Sequence, residues 1–330
     1  MTVPVLHSFK LSYPQVRISV LTKSAFAGLF GQLGIDIIIA DTKGIHKGLA
    51  GLFRLYREIS KDHTFDAIAD LHKVLRSRVL CLLFRFSGIQ QASLSKERKQ
   101  LAKLTRKENK TLLPLPSRFE LYKEVFTELG FNFLLDPGFA FSFPSTLSEE
   151  VTKITGSKTK TWIGIAPFAA FQPKIYPPDK MKGVVRLLMQ DSTNKILFFG
   201  GGKNEIEILE HWQKEFNGSI NISGKLSLDN ELELMSKLNI MIAMDSANMH
   251  FASLTGVPVL SVWGATHPLA GFIPWQQPES NRVQVDLYCR PCSVYGNVPC
   301  YRGDNACMNT ISGEIIVKKA YEMIHSKELL

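Results

Sequence analysis

Met244–Pro268, MDSANMHFASLTGVPVLSVWGATHP, is the stretch whose reading decides the fold. Leu238–Met244 (LNIMIAM) is an apolar run of strand length, and Asp245-Ser246 follows it with two side-chain oxygens where a helix must satisfy its first free N–H groups. The helix runs through His250, Phe251 and Leu254, stops at Gly256 with Pro258 beyond, and yields to Val257–Trp263 and a Gly264-Ala265-Thr266 turn. Strand, helix and strand make one βαβ unit. In such units ligands sit at the carboxyl ends of the strands, where exposed helix N–H groups and the dipole favour phosphate oxygens by ~0.3–1 kcal/mol. His250 lies four residues after Ser246, on the same side of the helix. On the residues alone, Asp245 and Ser246 read equally well as plain caps and His250 as a satisfied half-buried imidazole.

The whole spacing D-S-x-x-x-H-x-A-x-x-x-G-x-P-x-x-x-x-x-G-x-T-x-P resembles the signature of the family-nine glycosyltransferases, among them the ADP-heptose:lipopolysaccharide heptosyltransferases. Trp162–Pro167 (WIGIAP) is similar to the first strand of that family's C-terminal domain, and Lys174-Ile175-Tyr176-Pro177 to its Lys-x-aromatic-Pro segment. The resemblance implies that Lys174 contacts donor phosphate. It implies further that Glu205, after the glycine-rich turn Gly200-Gly201-Gly202, contacts the nucleoside, and that the backbone of Leu226 in Ile222–Leu228 reads the adenine edge. Asp245, Ser246, Ala247, His250 and Thr266 complete the implied donor set. Ala247 stands where most relatives carry glycine, a methyl group that narrows the donor pocket or only alters the helix start.

The implied fold is α/β, with two Rossmann-like domains facing across a cleft in the GT-B arrangement. The expected domains are 1–150 on the acceptor side and 151–330 on the donor side, joined by the Pro- and Ser-containing segment Phe143–Lys160, with a C-terminal helix at about 311–330 packing back on the first domain. In the N-terminal half, Arg17–Leu21, Ile35–Ala40 and Phe65–Ala69 read as strands, and Ser24–Gln32 and Leu49–Ile59 as helical stretches. Asp70–Arg78 resembles the family's acceptor-side strand end and helix, which makes His72, Arg76 and Arg78 candidates for acidic acceptor groups. The plainer alternative is a set of solvated cations.

A chain of 330 residues with 45% hydrophobic content suits two packed cores. It holds no 18-residue apolar run and no signal-peptide pattern, so the expected location is cytoplasmic, with peripheral contact at the inner face of the inner membrane as the alternative to a free protein. Residues 1–155 carry 22 Lys and Arg against 14 Asp and Glu, which puts most of the net charge of +9 in the first half. The excess peaks in Lys96–Lys110 (KERKQLAKLTRKENK), with Leu101 and Leu104 three apart. That segment reads as a solvated helix or as a dock for an anionic membrane surface or glycolipid. No aromatic interleaving or binding motif points to nucleic acid.

Cys289, Cys292, Cys300 and Cys307 fall within nineteen residues. Reduced packing thiols are the expected state, with tetrahedral zinc as the alternative, because the second pair lacks the close spacing of zinc ribbons. Cys81 reads as a core residue.

The family resemblance implies inverting transfer of a sugar, a heptose, from an ADP-sugar to a lipopolysaccharide core acceptor, with no metal or other cofactor. The partners are then the nucleotide sugar and an anionic glycolipid. Relatives open with a strand and a loop carrying an aspartate base, whereas Met1–Leu6 resembles the helix that follows them. The expectation is therefore an N-terminal sheet lacking its first strand and a base placed before Met1. A nucleotide-sugar 2-epimerase of the same architecture and a degenerate donor-binding paralogue are the rival readings.

Overall fold

The computed structural model describes residues 1–328. Its chain forms two compact units, one from Met1–Glu97 and Pro116–Phe139, the other from Arg98–Leu115 and Ala140 onward. The strands are β1 (Ser19–Thr22), β2 (Asp36–Ile39), β3 (Ala67–Asp70), β4 (Gln90–Ser93), β5 (Thr161–Ala166), β6 (Asn194–Phe198), β7 (Ile220–Asn221), β8 (Ile240–Met244), β9 (Val259–Val262) and β10 (Arg282–Val283).

In the first unit β1 pairs in parallel with β2, and β3 with β4, as two separate ribbons. Two apolar clusters serve them: Leu52, Leu55, Ile59, Leu80 and Phe84 form one, and Ala92, Leu94, Leu121, Val125 and Leu129 the other. The helix Thr2–Ser12 buries Val3, Val5, Leu6 and Phe9, and the Phe9 ring meets Phe126, Phe131 and Phe133. Ser24–Leu33 is helical but wound as a 3-10 helix, ended by Gly34 in the left-handed region at φ 60°. Gly28 and Gly31 weaken the α-helical choice there, and only Phe30 and Leu33 are buried to reward it.

The second unit holds one six-stranded parallel sheet in the order β10-β9-β8-β5-β6-β7. Its central strands read as unbroken apolar runs because both faces are covered: β8 and β9 are buried at every position. Alternate residues feed two cores. Ile163, Ile165, Ile240, Ile242, Leu260 and Val262 face one layer, and Trp162, Met241, Ala243, Val259 and Trp263 the other. Phe143–Lys160, expected as a plain connection, contains the helix Glu149–Thr155. Val151 is fully buried, and the backbone N–H and hydroxyl of Ser148 both donate to the Glu233 carboxylate, at 2.5 and 2.7 Å.

Helix Gly313–Glu328 buries Ile316, Ala320 and Ile324 in the core of the second unit and packs on the helix Pro178–Met189 and on β8 and β9. Leu329 and Leu330 of the expected 311–330 span lie outside the described residues.

Candidate functional site

From β5 the chain builds outward to β6 and β7, then crosses back to β8, β9 and β10 on the other side. The reversal falls between β5 and β8, and the crevice beyond the carboxyl ends of those strands is where such sheets hold ligands. Lys174 arrives there from the segment after β5, and Asp245 is the residue after β8. Their side chains form an ion pair at 3.0 Å, with 13% and 8% of each exposed. Thr266, at the end of the turn after β9, donates its hydroxyl to the same carboxylate at 2.8 Å. Three adjacent strand ends are thereby joined.

The helix Ala247–Leu254 begins beside this cluster with Ser246 at the N-cap position, but no side chain caps it. This corrects the plain capping role: Asp245 is engaged by Lys174 and Thr266, and the Ser246 hydroxyl is buried without a hydrogen-bond partner. Nδ1 of His250 is likewise enclosed and unpartnered. Buried polar atoms without partners cost about 1–3 kcal/mol each, a pattern retained where a ligand supplies the missing bonds. Burial lowers the His250 pKa to about 3, so the imidazole is neutral at physiological pH. Ala247 is exposed at the first helical position.

Glu205 lies in the first turn of the helix Lys203–Glu215 and accepts the Gly201 N–H at 2.8 Å, closing the glycine-rich turn after β6. Burial raises its pKa. The loop carrying Leu226 is its neighbour, since a Cβ on Gly224 would meet Cδ1 of Ile206 at 2.7 Å. His72, Arg76 and Arg78 belong to the first unit and are exposed. Their loop is organised by buried Asp70, which accepts the N–H groups of His72 and Lys73 at 3.1 and 2.8 Å and the Ser77 hydroxyl at 3.0 Å.

Three residues that sequence reasoning missed stand out in the second unit, two of them against this cluster. Arg290, 3% exposed, donates to the carbonyls of Gly264 at 2.5 Å and Thr266 at 3.0 Å, and to that of Val285. Gly296, at φ 81°, leaves room for the stem of Lys174, whose Cγ and Cδ lie 2.4 Å from where its Cβ would stand. Glu231, in the first turn of the helix Leu228–Ser236, has its pKa raised to about 7 by burial. The only local signals were a charged residue inside a Cys-x-x-Cys and a glycine four residues beyond it.

The sequence profile described as glycosyltransferase family 9 (heptosyltransferase) matches residues 52–299. The chain belongs to glycosyltransferase family 9. Among family relatives, lipooligosaccharide heptosyltransferase 2 of Campylobacter jejuni subsp. jejuni is 27% identical over 141 residues, 42% of this chain and 43% of that protein. The aligned part thus spans less than half the length of that relative. The solved family 9 glycosyl transferase of Veillonella parvula superposes with a TM-score of 0.74 at 20% identity, covering 98% of this chain and 93% of that one. The E. coli ADP-heptose lps heptosyltransferase II gives 0.70 at 15% identity, with 99% and 95% covered. At these identities the likeness is one of fold, the Rossmann-like α/β architecture of GT-B proteins.

Two predictions arise from this family 9 site. Gly296→Ala displaces the Lys174 stem and strains a left-handed backbone position. With Lys174 as a diphosphate ligand, which is the function proposed below, calorimetric titration with ADP is expected to show roughly tenfold weaker binding, about the loss of one charged hydrogen bond. The second concerns pH. Glu231 is protonated more readily folded than unfolded, so its contribution is full below its ordinary value of 4.5 and is lost as pH rises through about 7. His250 acts oppositely: its contribution is present above 6.5 and lost as pH falls toward about 3. Thermal melts of Glu231→Gln should therefore gain on wild type by on the order of a few degrees between pH 5 and 7 and then run parallel to it.

Proposed function

We propose that the second unit binds the diphosphate of an ADP-sugar, a heptose donor, and that the protein transfers the sugar with inversion to a hydroxyl of a lipopolysaccharide core acceptor. The observation that carries this reading is the uncapped helix start at Asp245-Ser246, with the unpartnered Ser246 Oγ and His250 Nδ1 beside the cation of Lys174. Neutral His250 offers a hydrogen bond without adding charge. As the anomeric bond breaks, negative charge gathers on the departing diphosphate, and Lys174 with the free N–H groups after Asp245 stabilises it. Glu205 and the Leu226 backbone hold the nucleoside. Nothing in this set calls for a metal ion at the reacting atoms.

The E. coli and Campylobacter jejuni relatives carry heptosyltransferase names, which supports the choice of donor and acceptor class. His72, Arg76 and Arg78 would meet acidic groups of the acceptor. The basic segment supports contact with an anionic inner-membrane surface from the cytoplasmic side: Leu101 and Leu104 of the helix Arg98–Thr105 are buried, while Leu112 and Leu113 are exposed beside Lys107 and Lys110. Among the described residues no helix is long and apolar enough to cross a membrane.

The deciding experiment titrates the protein with ADP, ADP-heptose and UDP-sugars, then incubates ADP-heptose with and without a heptose-free core glycolipid. ADP-specific binding and acceptor-dependent release of ADP are expected. Conversion of donor alone into a new sugar nucleotide would instead establish an epimerase. Binding without turnover would establish a donor-binding paralogue, and binding indifferent to Lys174→Ala and His250→Ala would remove the site itself.

A further inference from the structure

Large apolar side chains exposed on the second unit gather on one loop and on the segment packed beside it. The loop 288–302, between β10 and the helix Ala306–Asn309, leaves Tyr288 73%, Tyr295 51% and Tyr301 38% exposed. Leu112 and Leu113, 54% and 65% exposed, lie on the segment that follows the helix Arg98–Thr105. Buried contacts join the two pieces: Leu101, Leu104 and Leu115 share an apolar cluster with Phe272 and Val294, and the Tyr295 ring meets that of Phe272. Lys110 donates to the Pro291 carbonyl at 2.7 Å, and the N–H groups of Cys292 and Ser293 donate to the Ala265 carbonyl at 3.0 and 3.3 Å. A loop already held in this way loses little conformational entropy when it meets a surface.

The charge on this face has one sign. Arg98–Leu115 carries six cations against a single acid, Glu108. Burial of Leu101 and Leu104 turns the other side of their helix to solvent, where Arg98, Lys99 and Lys103 are exposed. Lys107 lies over the Tyr301 ring, 5.2 Å from its centre, and Arg302 over that of Tyr288 at 5.4 Å. Asp304, at the end of the loop, is held by Arg302 at 2.7 Å. Tyrosine rings and leucines interleaved with cations suit the lipid–water boundary, where the apolar parts settle at headgroup depth and the cations reach lipid phosphates. A nucleic acid would use the cations but offers no apolar layer for adjacent leucines.

We infer that the loop 288–302 and Leu112-Leu113 form one docking surface that inserts shallowly into a bilayer containing anionic lipid, with Tyr288, Tyr301 and the two leucines as the inserted groups. The inference rests on the anionic-surface contact proposed above for the basic segment, and adds to it a second element and an apolar step. Charge brings the surface to the bilayer, and burial of rings and leucines holds it there. The docking surface is independent of what the crevice of the second unit binds.

The test sediments the full chain with vesicles of phosphatidylcholine alone and of phosphatidylcholine with phosphatidylglycerol. Wild type is expected to bind the anionic vesicles. Leu112→Ser/Leu113→Ser and Tyr288→Ser/Tyr301→Ser should each partition roughly tenfold more weakly, with unchanged thermal melts, although neither alters a charge. If the tyrosine variant does not fold, the leucine variant decides alone. Vesicle binding equal to wild type in the serine variants would overturn insertion and leave the charge-only contact of the basic segment standing. Absence of binding to anionic vesicles, or retention on single-stranded DNA in its place, would overturn both. A protein that docks as expected but takes up no ADP would support this surface while removing the donor reading.

Discussion

Lys174→Met is expected to produce the largest functional loss of any single substitution in the second unit. The variant keeps the stem that packs on Gly296 and removes the charge that pairs with Asp245. Two effects follow. Asp245, 6% exposed, is left with Thr266 as its remaining side-chain partner, and unpairing a buried carboxylate in this way costs about 3–5 kcal/mol of stability. Under the proposed function a donor diphosphate also loses the Lys174 cation, and a charge-assisted hydrogen bond of about 1.5–3 kcal/mol corresponds to a loss of roughly ten- to a hundredfold in ADP affinity. Lys174→Met/Asp245→Asn separates them: restoring neutrality should recover much of the melting temperature while ADP binding stays weak. Recovery of both together would show that Lys174 serves the fold and not the ligand.

Arg290→Leu is expected to produce the largest loss of stability. Its guanidinium satisfies three backbone carbonyls from two loops and also meets the Gln284 side chain at 3.1 Å. A leucine fills part of the volume but leaves those carbonyls buried and unmet, at about 1–3 kcal/mol each. Chemical denaturation should show a loss of more than about 4 kcal/mol, or no folded protein at all. Arg290→Lys should recover only part, because an ammonium has no planar fork to span the loops. A melt within a degree of wild type would show that water or rotated neighbours replace the guanidinium.

How legible the chain was depended on whether a residue's partners are close in sequence. β5, β6, β8 and β9 announce themselves as apolar runs because a parallel strand buried on both faces admits nothing else. The turn after β8 was visible for a similar reason, as strand, polar pair, helix and glycine follow within a few residues. What could not be read there was whether Asp245 caps the helix or turns away from it. Lys174, 71 positions earlier, settles that. Arg290 is the extreme case: nothing beside it explains a buried charge, and its acceptors lie on two separate loops. In the first half the short strands were visible, but the 3-10 winding of Ser24–Leu33 reflects how little packing surrounds it.

The chain's path through the two units also governs how it must be made. Leu101 and Leu104 are buried against Ala270 and Leu269, which leave the ribosome some 165 residues later. At about 5–20 residues per second, the helix Arg98–Thr105 waits on the order of ten to thirty seconds for its partners. During that interval its two leucines are exposed, with Leu112 and Leu113 close behind, on a nascent chain whose first unit is complete only after Phe139. The seven cations of Lys96–Lys110 then act as gatekeepers, their mutual repulsion disfavouring self-association of the waiting segment. The charges proposed to meet an anionic surface in the finished molecule thus protect it during synthesis.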